Sequence, residues 1–82
     1  GGITMADYMQ FTNTFHVADV KRLNNSRNGN PQFQFIFENG LEMRTPADVM
    51  WAYEIVPTAI IGTLIRVKYR TYRNGLQIVG IQ

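Results

Sequence analysis

Phe33-Gln34-Phe35-Ile36-Phe37-Glu38-Asn39-Gly40-Leu41-Glu42-Met43-Arg44 is the stretch whose reading decides how this chain folds. Phe33, Phe35 and Phe37 fall on one parity; Gln32, Gln34, Ile36 and Glu38 fall on the other. That is the period of a half-buried strand. Asn39-Gly40 then reverses the chain, and side-chain parity fixes the loop length. A two-residue loop would set Glu42 opposite Phe37 and Arg44 opposite Phe35. A three-residue loop, Glu38-Asn39-Gly40 with a left-handed glycine, sets Leu41 and Met43 opposite the phenylalanines. The second keeps one face apolar and predicts a type I turn with a G1 bulge.

Downstream, Tyr72-Arg73-Asn74-Gly75-Leu76 repeats the pattern of Phe37-Glu38-Asn39-Gly40-Leu41. The same three-residue loop would pair Val67 with Ile81 and Tyr69 with Val79. Ile65 joins their apolar face, while Leu76 and Ile78 share the opposite one. Upstream, residues 15–23 form a first strand holding Phe15, Val17, Val20 and Leu23. Val20 breaks the parity of Phe15 and Val17, so a bulge near Ala18-Asp19 is expected, a common means of bending small barrels. Residues 24–31 are almost pure turn chemistry.

Between the hairpins, Thr45-Pro46-Ala47-Asp48 reads as a helix start: a capping threonine, proline at the first helical position and an acid in the first turn. Val49, Met50, Tyr53 and Val56 recur at helical spacing, and Pro57 closes the segment. The expected order is three strands, a helix and two strands. The chain is therefore read as a mainly β, small α+β protein: a five-stranded OB-like barrel with one short helix between strands 3 and 4. An SH3-like barrel is the alternative.

Length allows one core: 82 residues make one domain. Residues 1–4 read as an expression scar, 5–10 as a flexible N-terminus and 11–82 as the barrel. With 45% apolar residues the chain has enough material to fold by packing, and with no cysteine it must do so without disulfides. No apolar run approaches the ~18 residues of a membrane span, and no signal peptide is visible. A cytoplasmic location and no membrane partner are expected. The net charge of +2 permits an anionic partner without requiring one.

Chemistry for catalysis is sparse. His16 is the single histidine, with no second histidine or cysteine to complete a metal site. Ser26 is the single serine and sits among turn residues. No glycine-rich phosphate loop occurs. No enzyme activity, cofactor or metal is expected.

The strongest binding signal is Arg66, Lys68 and Arg70, a period-two row about 7 Å apart on the face opposite Ile65, Val67 and Tyr69. Tyr72 continues the row. Such cations can follow a sugar–phosphate backbone while an aromatic stacks on a base. Lys21, Arg22 and Arg27 add charge at the end of the first strand and in its loop. The alternative is a solvated strand face that resists edge aggregation.

Two further candidates stand beside the row. Trp51 lies about 200° around a helix from Val49 and Tyr53, so it points away from the barrel if they face it. With Leu76 and Ile78 it is a candidate contact for a partner or a second copy; the alternative lays Trp51 over the barrel's end. Asn28, Gly29 and Asn30, helped by Arg27, are a candidate loop site for an anion or nucleotide. The alternative is a connector whose asparagines satisfy their own backbone.

Two resemblances add expectations. Ile61-Gly62-Thr63-Leu64-Ile65-Arg66-Val67-Lys68-Tyr69, followed by a polar turn and Gly75-Leu76, resembles the later strands of the OB domain of ATP-dependent DNA ligases. The ligases' nucleotidyl-transfer motifs are absent, so no ligase activity is implied. Ser26-Arg27-Asn28-Gly29-Asn30-Pro31-Gln32-Phe33, with Asn39-Gly40, Arg44-Thr45, Asp48 and Ala52-Tyr53, is similar to a pattern in small uncharacterised bacteriophage proteins. That implies a viral origin and a bacterial host cell, and no active site. The partner expectations are a nucleic acid or nucleotide-like ligand, a host protein captured by a phage inhibitor or sponge, or other virion components. A homo-oligomer is compatible with the second.

Overall fold

A computed structural model describes residues 9–73 and 75–82. Five strands, β1 (Gln10–Arg22), β2 (Phe33–Phe37), β3 (Glu42–Arg44), β4 (Leu64–Tyr72) and β5 (Gly75–Ile81), close into a barrel in the order β1-β2-β3-β5-β4. The helical segment lies between β3 and β4. This is a small β-barrel of the OB type, with β3 and β5 parallel and the other pairs antiparallel.

β1 is longer than the sequence suggests. Its first half, from Gln10 to His16, pairs with β4, and from Val17 to Arg22 it pairs with β2. The register shifts between Val17 and Asp19, at the expected bulge. That extra residue lets Val17 and Val20 both point inward despite opposite parity, and both are buried. The expected flexible segment reaches Gln10, which instead pairs with Arg70; residues 1–8 lie outside the described residues.

The first hairpin follows the parity argument. Phe35 pairs with Met43, the Phe37 N–H donates to the Leu41 carbonyl at 2.9 Å, and Gly40 sits at φ 92°. Glycine adopts that left-handed conformation without a Cβ penalty. Phe35, Phe37 and Met43 are at most 1% exposed.

The second hairpin does not. Tyr72 pairs with Gly75, so only two residues separate the strands, and Arg73 takes φ 55°. Tyr69 therefore faces Ile78, and Ile78 is fully buried rather than on the cationic face. A second register shift, opposite Lys68 and Tyr69, restores the Val67–Ile81 pairing. The energetics favour this solution. This register buries the larger Ile78 and turns Leu76 inward, where the alternative would bury Val79 alone. That gain in apolar burial offsets the cost of a left-handed arginine, about 1–2 kcal/mol. Leu76 turns inward as well and packs, half-buried, against the core.

The expected helix over residues 45–56 is replaced by two shorter pieces. A 3₁₀ turn spans Met50–Glu54, and α1 spans Pro57–Ile60. Asp48 sits at φ 62°, which breaks a helix starting at Thr45. Pro57 opens the second piece instead of closing the first, because its missing N–H and fixed φ suit a first helical position. Inward positions follow a spacing of three, Ala52 and Ile55, as 3₁₀ geometry requires. Met50, Tyr53 and Val56 are exposed, and it is Trp51, not Tyr53, that packs against the core.

Candidate nucleic-acid interface

β4 places its side chains alternately across the barrel wall. Val67 and Tyr69 point inward and are buried, while Arg66 and Lys68 are exposed and Arg70 is half-buried on the outside. The neighbouring strands place only uncharged residues opposite these cations. Gln10, Thr12 and Thr14 of β1 lie opposite Arg70, Lys68 and Arg66, and Gln77 and Gly80 of β5 lie opposite Arg70 and Lys68. The charges that these paired positions present are all positive.

Two of the three cations are held by amide oxygens. Arg70 donates through Nε and Nη2 to Gln77 Oε1 at 3.0 and 2.9 Å, and Arg66 Nε donates to Gln82 Oε1 at 3.2 Å. The neutral Gln82 acceptor orients the Arg66 guanidinium without cancelling its charge. Tyr72, exposed at the end of the row, has the guanidinium carbons of Arg70 and Arg73 each 5.3 Å from its ring centroid. That spacing is within cation–π range.

The other predicted cations do not join this row. Lys21 pairs with Gln34 of β2, on the half of β1 that lies beyond its pairing with β4. Arg22 turns over the Phe33 ring at 5.3 Å and donates to Asn25 Oδ1. Arg27 stays exposed in its loop. The residue that sequence reasoning missed is Arg44. The register carries a belt around the barrel in which Lys21 pairs with Gln34, Gln34 with Arg44, Arg44 with Gln77 and Gln77 with Arg70. Cations and amides alternate along it, which puts Arg44 and Arg70 about 10 Å apart across β5 at ordinary strand spacing. Parity alone put Arg44 outside beside Gln34. Only barrel closure brings it to β5.

Beside this belt, the end of β3 and the β4–β5 hairpin enclose a cleft of about 460 Å³ lined by Gln32, Arg44, Thr45, Tyr72, Arg73 and Gln77, among others. A second, apolar cleft of about 360 Å³ lies beside Trp51, between Ile55, Ile60 and the end of β5.

The loop candidates have internal partners. The Gly29 N–H donates to the Ser26 carbonyl, the Asn30 N–H to Ser26 Oγ, and Asn30 Nδ2 to Asp48 Oδ1 at 3.2 Å. Ser26 Oγ donates to the same carboxylate oxygen at 2.9 Å. Ser26 and Asn30 thus dock the loop onto the β3–β4 connection through Asp48, the Gly29 carbonyl accepts from the Tyr53 hydroxyl at 3.5 Å, and Asn28 is exposed at the loop's tip. Of the proposed contact surface, Trp51 is half-buried, Leu76 is half-buried and Ile78 is core. His16 lies on the surface between two acceptors, with Nδ1 3.0 Å from Glu38 Oε2 and Nε2 2.9 Å from the Gly62 carbonyl oxygen.

No family model matches the chain, and no curated protein or solved structure matches it either.

Proposed function

We propose that this domain is a non-catalytic module that binds single-stranded nucleic acid across the outer face of β4. The observation that carries the reading is the row Arg66, Lys68 and Arg70, flanked on both neighbouring strands by uncharged residues and ending at exposed Tyr72. Cations repeating about every 7 Å along a strand match the stride of an extended sugar–phosphate chain, and an exposed ring offers a base a sequence-tolerant platform. The loops that flank such a face in OB barrels, here residues 23–32 and the β4–β5 turn, are their usual oligonucleotide contacts.

The test is to replace Arg66, Lys68 and Arg70 together with glutamine and titrate labelled oligothymidylate at several salt concentrations. The slope of log K against log salt should fall in magnitude by about 2, since each single-strand phosphate contact contributes about 0.7. A variant that binds with the parent's affinity and slope would refute the assignment.

A further inference from the structure

We infer that the cleft between the end of β3 and the β4–β5 hairpin is a site for a phosphomonoester group. Its size suits a nucleotide, as ligand pockets run from about 300 to 1,000 Å³ and this one is about 460 Å³. Arg44, on β3, and Arg73, just after β4, both line it, and its described lining residues include no carboxylate. Among the described residues, neither guanidinium is in a salt bridge.

Gln77 adds a donor of fixed orientation. Arginine has donors only, so the atom that accepts both Arg70 bonds must be the Gln77 carbonyl oxygen. The amide NH₂ is thereby turned away from Arg70. Gln77 also lines the cleft and pairs with Arg44, and among the described residues this NH₂ has no acceptor, which leaves it as a donor for a ligand.

Two guanidiniums and an amide donor match a dianion with three free oxygens better than an internal phosphodiester, which carries one charge and two. The group can come from a free nucleotide or from the phosphorylated end of a strand. The strand-end source rests on the function proposed above, because Tyr72 lines the cleft and also ends the β4 row. The site itself does not depend on that function.

Binding of four probes separates the cases: thymidine, thymidine monophosphate, and oligothymidylate with hydroxyl or with phosphate at its ends. Each phosphate should tighten binding about tenfold or more, as expected for charge-assisted bidentate contacts. Arg44→Gln should remove that gain. Gln77→Glu should remove it too, and because Arg70 keeps a carboxylate partner there, the thermal transition should stay in place.

Tighter binding of the monophosphate alone supports the site and makes free nucleotide its source. Tighter binding of the phosphorylated oligomer supports the site at a strand end. Oligomers that bind equally with either end, together with no preference for the monophosphate over thymidine, overturn the site and leave the strand-binding function standing. A monophosphate that binds when no oligomer does gives the reverse result.

Discussion

Phe33 and Thr45 hold each other through two hydrogen bonds: the Phe33 N–H donates to Thr45 Oγ1 at 2.9 Å, and the Thr45 N–H donates to the Phe33 carbonyl at 3.0 Å. Thr45 is 4% exposed, so water cannot replace the hydroxyl. Thr45→Val removes the acceptor at nearly constant volume and strands the Phe33 N–H. The expected loss is about 1–3 kcal/mol in urea unfolding. Thr45→Ser, which keeps the oxygen, should lose less.

Ile78 and Leu76 distinguish the two registers of the second hairpin. Ile78 is fully buried and Leu76 half-buried. Ile78→Ala should cost about 2–5 kcal/mol, as for other large-to-small core changes, and Leu76→Ala clearly less. A three-residue loop would put both side chains outside, and both costs would then stay within about 0.5 kcal/mol.

Arg73 is held at φ 55° by the tight turn. Asparagine tolerates that conformation better than a long side chain does. Arg73→Asn is expected to raise the melting temperature while reducing the phosphate preference of the neighbouring cleft. A lower melting temperature would show that the arginine's contact with Tyr72, 5.3 Å away, outweighs the strain.

Asp48 anchors the loop of residues 24–31 by accepting from Ser26 Oγ and Asn30 Nδ2. Asp48→Ala should free the loop and speed its cleavage in limited proteolysis, with the barrel itself intact. Equal cleavage rates in parent and variant would show that the loop holds its shape through Ser26 and its own backbone alone.

How much of this was legible depended on whether local chemistry or closure made the decision. The first hairpin was readable because three phenylalanines and Asn39-Gly40 agree on one loop length. The second carries the same Asn-Gly pair, yet burial of Ile78 outweighs the turn preference, and the compensating bulge lies several residues away. Thr45-Pro46 imitated a helix start, but the Thr45 hydroxyl is engaged by Phe33 and Asp48 turns left-handed. At the candidate site, the period of two exposed Arg66, Lys68 and Arg70 directly. Arg44 joins them through a parallel contact of only two residue pairs, which no local pattern announces.

The first strand serves as both the first and the last stave of the barrel, and that has a kinetic cost. Asn13 Nδ2 donates to the Tyr69 hydroxyl at 2.9 Å across 56 positions of chain. Each hairpin can form in microseconds, but the wall cannot shut until residues 10–16 find a strand made near the other end. Refolding should therefore be governed by this late search, with a rate in the millisecond-to-second range of non-local β-topologies.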